Sequence, residues 1–323
     1  MLLQVLHETR YDYSAPVENA QHLAYLRPLE HAAQQVLMHE LRISPEPVHQ
    51  RTAADIYGNS RTHFSLRASH GHLVVQAQSL VRTSATADPR KQGSASWEQV
   101  RQRCQYQSGA AWDGAIEFAF ASPCAPRSEA FAEFARPSFM PGRPMAEASW
   151  DLMERIHRFM RYESHSTEVN TPALQALQQG KGVCQDFAHI LVACCRSMGL
   201  PARYVSGYML TKPAPGQPRL VGSDASHAWA SVYCLAAEPA RKPGNRESGD
   251  GPAGYWLDLD PTNNRMPGQD YVTVACGRDF LDVSPLRGVI QGGSKHNLSV
   301  AVTVSPVDQE SAASMSSGRL SRD

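Results

Sequence analysis

GVCQDFAHILVACCRSMG, residues Gly182–Gly199, decides how the rest of the chain is read. Behind Cys184 come Phe187, Ile190, Leu191, Val192, Ala193, Cys194, Cys195 and Met198, a run that is apolar nearly all round. Gly199 and Pro201 close it, and glycine after the last turn with proline just beyond is a helix stop. The pattern predicts a buried helix over 184–198. Cys184 then stands at the helix N-terminus, where unpaired N–H groups and the helix dipole favour an anion such as a thiolate. The same N–H groups are placed to receive an oxyanion on a carbon under attack by the sulfur. Asp186 and His189 are spaced i, i+3 on this helix and so able to pair, and both read as structural. His189 lies about 140° round the helix from Cys184, on the wrong side to be its base.

Two further strings alternate with the period of a strand. In SHAWASVY (Ser226–Tyr233), His227, Trp229, Ser231 and Tyr233 share one face. In YWLDLDPTNN (Tyr255–Asn264), Trp256, Asp258 and Asp260 share one face, and Pro261 ends the strand. Antiparallel pairing of the two strands would set His227 beside a carboxylate. Asp260 is preferred to Asp258 because it lies at the strand end, against the turn-forming Pro-Thr-Asn-Asn run. A thiol nucleophile needs a base, and the base needs a group to hold its ring. Cys184, His227 and Asp260 are the candidates for those parts. Their ordinary alternatives are a buried thiol, a strand histidine bonded to backbone, and an aspartate capping a turn. Trp229 and Trp256 fit a cleft lining and core packing equally well.

These strings resemble the motifs of the bacterial transglutaminase-like superfamily, a papain-related group of thiol enzymes: G-V-C-x-D-F-A-H, then S-H-A-W, then a hydrophobic strand ending D-P-T-N. ARYVSGY (Ala202–Tyr208), GRDFLDVSPLRGVIQGG (Gly277–Gly293) and DIYGN (Asp55–Asn59) extend the resemblance outward, from about the first ten residues to about Val304. It implies an α+β fold, with an N-terminal antiparallel β domain followed by a papain-like, transglutaminase-like core. It also implies Cys184 as nucleophile, His227 as general base and Asp260 as orienting acid. The implied chemistry is acyl transfer from peptide-like amides through a thioester, as a peptidase or amidase. The alternatives are a transamidase and a non-catalytic binding module that keeps the fold. One departure is the 33 positions from His227 to Asp260, longer than the resemblance suggests. The excess, Ala236–Ala253, is rich in Pro, Gly and charge and reads as a mobile hairpin extension, with a role as a lid left open.

The first 90 residues read as strands: LLQVLHETRYDY, QHLAYLRP, QVLMHELRI, THFSLRA and HLVVQAQSLVRT, separated by turn-type segments. They are expected to form a β domain over 1–90 with a core of its own, joined through a linker at Ala85–Ser96. A catalytic domain is expected over 91–307, with helices near Trp97–Tyr106, Ser128–Ala135 and Met145–Tyr162, and a disordered Ser-rich tail over 308–323. The 31 basic and 31 acidic residues balance, which argues against a nucleic-acid surface and gives no reason to expect an anionic membrane. No run of about 18 apolar residues occurs, and charge follows the apolar opening too soon for a signal peptide. The expected address is the cytoplasm, and the expected partner is a peptide or protein substrate with an accessible amide.

Seven scattered cysteines, without C-x-x-C, give neither a disulfide framework nor a zinc site. No calcium loop is evident, and His70-Gly71-His72 lacks flanking ligands, so no metal or cofactor is expected. A second oxyanion donor upstream of Cys184 is not selected by any spacing rule; Tyr162, His165 and Thr167 are the residues in range.

Overall fold

The computed structural model describes residues 1–105, 108, 113–164, 166–211, 226–237 and 253–307. His165, most of the expected hairpin extension (238–252) and the expected tail (308–323) lie outside the described residues. The fold is α+β, an N-terminal antiparallel sheet joined to a core in which a buried helix packs on a four-stranded antiparallel sheet.

The N-terminal sheet is organised by one long strand, β1 (Leu2–Ala24), with β2 (Gln34–Ser44), β3 (His49–Ala54), β4 (Ser60–Leu66) and β5 (His70–Thr83). The period-2 pattern at its start is real: Leu3, Val5, His7 and Thr9 all turn inward and are buried. The sequence reading splits β1 into two strands at the Pro16 region. The chain instead runs on, because β1 changes partners there. Its first half pairs with β5 and its second with β4, and the register shifts between Asp12 and Val17. Pro16 falls where the ladder is already broken, and its carbonyl accepts the Gly293 N–H at 3.0 Å. β3 was not anticipated, since all six of its residues are exposed and carry no alternation. The DIYGN turn joins β3 to β4. Asp55 closes it by accepting the Tyr57 and Asn59 N–H groups, and Gly58 supplies the positive φ of 83°. Asn59 is fully buried and forms two bonds with the backbone of Cys276, tying the hairpin to the core.

The core begins with α1 (Trp97–Arg103), α2 (Glu129–Ala135) and α3 (Met145–Phe159). Next come β6 (Arg161–Tyr162), α4 (Ala173–Gln179) and β7 (Lys181–Gly182), then α5 (Cys184–Ser197). A four-stranded sheet follows from β8 (Ala202–Met209), β9 (Ser226–Leu235), β10 (Gly254–Leu259) and β11 (Tyr271–Gly277), in the order β10-β9-β8-β11. α6 (Phe280–Val283), β12 (Leu286–Gly292) and β13 (His296–Pro306) complete the described chain. α5 is buried against β9 and β8, with α2, α3 and α4 around it. It stops where expected, at Gly199 with φ 78°. Arg196 in its last turn is fully buried, and its guanidinium donates to the carbonyls of Phe118, Ala202 and Arg278 and to the Ser122 hydroxyl. Those acceptors tie the helix end to three separate stretches of chain, 118–122, the start of β8 and Arg278.

β12 and β13 fall inside the segment 91–307 by the sequence reading, yet both pair with β1. A long strand has two edges, and β13 fills the one left by β5. The resulting contact is a shared core rather than a modest interface. Leu3, Val5, Val302 and Val304 of the sheet cluster with Tyr204, Tyr208, Ala228 and Val272 of the core. The expected linker is likewise held in place: Arg90 stacks over the Trp150 ring at 3.6 Å, and the Ala95 N–H donates to Leu235. No helix among the described residues is long and apolar enough to cross a membrane.

Candidate functional site

The start of α5 is built by Asp186. Its carboxylate is buried, accepts the Val183 N–H at 2.8 Å and takes the Thr167 hydroxyl at 2.6 Å. It thereby meets a backbone donor that the helix itself leaves unpaired. The price is space: a Cβ on Gly182 would lie 2.6 Å from an Asp186 carboxylate oxygen, so the glycine of G-V-C-x-D is required by packing. Burial pushes the Asp186 carboxyl up, against the pull of Thr167 and Val183. Cys184 is the first helical residue, and it opens onto a cleft.

His227 is the second residue of β9 and pairs with Gly207 of β8. Trp229 lies behind it, fully buried, with ring centroids 6.2 Å apart. Gly207 permits this: a Cβ there would come within 2.5 Å of the indole and 2.2 Å of the Val272 carbonyl. Asp260 is completely buried just past β10. Its two oxygens divide the work. Oδ1 accepts the N–H groups of Thr262 and Asn263, capping the Pro-Thr-Asn-Asn turn. Oδ2 accepts His227 Nε2–H, the Asn263 amide and the Tyr271 hydroxyl, each at 2.7 Å. The turn-capping reading and the imidazole-orienting reading of Asp260 are therefore two ends of one side chain.

Burial alone would lower the His227 pKa, but hydrogen bonds and charge from Asp260, and then from Cys184, overcome it and raise it to about 10. Burial acts on Asp260 in the opposite sense, and its bonds to His227, Asn263 and Tyr271 hold it below the usual carboxylate range. Both directions favour a charged imidazolium–carboxylate pair. With Nε2 committed to Asp260, Nδ1 is the ring nitrogen left for the Cys184 side.

Cys184 and His227 share a cleft of about 320 Å³. Tyr204, Ser206 and Phe280 line it from the core; Thr9 and Tyr11 of β1 and Leu298 and Val300 of β13 line it from the N-terminal sheet. The structure thus brings Cys184 and His227 to one cleft and sets Asp260 behind the imidazole.

Other readings change. Asp186 and His189 have separate partners: the His189 ring lies 4.8 Å from that of Tyr204, and its Nε2 accepts the Phe280 N–H. Trp229 is a core residue, and Trp256 is partly buried against the core. Trp256 packs on Phe118 and Tyr233 and under Arg203, away from the cleft. Of the residues considered as oxyanion donors, Thr167 gives its hydroxyl to Asp186 and Tyr162 is half-exposed on β6. Asn263 was visible in the D-P-T-N run but only as a turn residue. Tyr271 was missed; it arrives on β11, carries no motif, and its hydroxyl also receives Arg265 Nε at 3.1 Å.

Comparison with known proteins agrees with this architecture. Residues 3–82 match the bacterial transglutaminase-like N-terminal region, and residues 132–261 match the transglutaminase-like superfamily. An uncharacterised protein of Mycobacterium tuberculosis is 37% identical over 312 residues, covering 94% of this chain and 93% of its own. One from Mycobacterium leprae is 29% identical over 306 residues, covering 94% of this chain and 98% of its own. The crystal structure of a candidate cysteine protease from Cytophaga hutchinsonii superposes with a TM-score of 0.69 at 20% identity, covering 95% of this chain and 92% of that one. That likeness is one of fold. Motifs, topology and relatives agree that this chain belongs to the bacterial transglutaminase-like family, carrying the family's N-terminal region ahead of its core.

Proposed function

We propose that the protein is a cysteine-dependent acyl-transfer enzyme that acts on peptide-like amides, with Cys184 as nucleophile, His227 as acid–base and Asp260 as the group that holds the imidazole. The observation that carries this reading is the bond from His227 Nε2 to the buried Asp260, with the other ring nitrogen left for a thiol at a helix start. The Cys184 sulfur attacks the amide carbon as a thiolate, and the carbonyl π pair moves onto oxygen. The N–H groups of the first turn of α5 face a developing negative charge there. When the C–N bond breaks, the imidazolium gives its proton to the departing amine, leaving a thioester. Water then attacks the thioester, His227 takes the water's proton and returns it to the sulfur, and a carboxylic acid leaves. Hydrolysis makes this a peptidase or amidase.

The test is a substrate screen with peptide mixtures, read by mass spectrometry, on the wild type and Cys184→Ala. Cleavage by the wild type alone is expected. Added primary amine should leave hydrolysis dominant; amine incorporated faster than water at millimolar amine would move the reaction to transamidation. Cleavage that persists in Cys184→Ala would end the thiol mechanism.

A further inference from the structure

The cleft wall opposite the Cys184 helix comes from the N-terminal sheet, and its chemistry is one-sided. On β13, residues 298, 300, 302 and 304 share a face. Val302 and Val304 are fully buried in the core shared with β8 and β11, while Leu298 and Val300 are 54% and 49% exposed. An apolar stripe therefore leaves the core and continues into open cleft beside the sulfur. Among the described residues lining that cleft there is no Lys, Arg, Asp or Glu. His227 is the cleft's charged group and is held by Asp260, so a charged side chain set against Leu298 and Val300 would lose water without gaining a partner there.

The backbone of the same residues is also turned outward. Val307 donates to the Leu2 carbonyl and Ser14 to the Lys295 carbonyl. With the unbroken register of β13 on β1, the odd-numbered residues of β13 bond to β1. Leu298 and Val300 are even, so their N–H and C=O groups point to the outer edge of the strand. Among the described residues no strand pairs with that edge at Leu298–Val300.

Resting on the acyl-transfer reading above, we propose that β13 is the specificity strand. The acyl donor is a peptide that extends along the outer edge at Leu298–Val300 and sets an apolar side chain against those two residues, next to the carbonyl that Cys184 attacks. An edge strand offers main-chain bonds for affinity and alternate side-chain positions for selection.

The test uses dipeptidyl chloromethyl ketones whose residue next to the ketone is Leu, Phe, Asp or Lys. The Cys184 thiolate displaces chloride and forms a thioether, so mass spectrometry reads the rate at Cys184 directly. Each rate is divided by that of iodoacetamide on the same protein. The Leu and Phe probes should outpace Asp and Lys by about 10-fold or more, and Leu298→Ser/Val300→Ser should remove most of that ratio. Val300→Pro removes only an outward N–H, which an edge strand tolerates, and should slow the Leu probe about 3–10-fold beyond Val300→Ala. An absent preference in the wild type, a preference retained in the double variant, or equal rates for the proline and alanine variants would each overturn the proposal. Iodoacetamide labelling of wild-type Cys184 no faster than that of the other cysteines is a separate failure, which would bring down the acyl-transfer reading as well.

Discussion

His189 and His227 are both nearly sealed from water, one on the second turn of α5 and one at the start of β9, yet their surroundings push their pKa values in opposite directions. Burial drives His189 down to about 4. It accepts a backbone N–H on Nε2 and lies against the Tyr204 ring, a setting that suits a neutral imidazole. His227 is raised to about 10 because it faces Asp260 and Cys184. The contrast teaches that burial silences an imidazole unless a partner repays the lost hydration. In this fold that partner is a carboxylate which is itself fully caged.

The comparison can be broken most forcefully at its charged end. Cys184→Ala and His227→Ala should each lower turnover by about 10³-fold or more, measured as initial rates on a substrate found in the screen. Asp260→Asn should cost about 10²-fold, since the ring is still held in part by neighbours, and kcat should fall more than KM rises.

The two histidines should also pull stability in opposite directions as pH changes. The folded pKa of His227 lies above its ordinary value of 6.5, so its contribution is complete below pH 6.5 and is lost as pH rises toward 10. His189 is the reverse: complete above 6.5 and lost as pH falls toward 4. Imidazole proton resonances followed by NMR should give midpoints near 10 and near 4. Asp260→Asn should lower the first and flatten the alkaline loss of urea midpoint. A His227 midpoint near 6.5 in the wild type would remove the electrostatic basis of the pairing.

Smaller effects sharpen the picture. Gly182→Ala should cost about 1–3 kcal/mol in urea unfolding, because its Cβ would displace the Asp186 carboxylate from its seat at the head of α5. Tyr271→Phe should be milder. It removes one of three donors on Asp260 Oδ2, for about 1 kcal/mol and a loss of rate of about 3–10-fold.

How much of this was legible in the sequence follows the reach of each signal. The helix over 184–198 and the strands around 226–233 and 255–260 were readable because period, glycine stop and proline stop are local. Cys184, His227 and Asp260 each stood at an element boundary that those signals mark. Tyr271 was not readable, since its contact with Asp260 depends on β11 lying in the same sheet, a pairing made across the fold. The region of β12 and β13 was read as strands without sheet partners, and their pairing with β1 was not legible, because alternation tells which face is buried and nothing about which neighbour buries it. Trp229 and Trp256 were ambiguous for a similar reason: an indole's size predicts burial, while only the glycine opposite, Gly207, reveals that one of them lies under the histidine.

β13 has a consequence in time as well as in space. A chain made from its N-terminus has its thiol, imidazole and carboxylate in hand by residue 260, and its first strand long before that. The part of the facing wall that β13 supplies is synthesised only with residues 296–306, and it must travel back to β1 to be seated. A pairing of such long sequence separation is slow to form relative to the local contacts of α5 and its sheet. During manufacture, then, the thiol, imidazole and carboxylate can be assembled before the proposed specificity strand is seated, and on that proposal the cleft discriminates only once β13 has docked on β1.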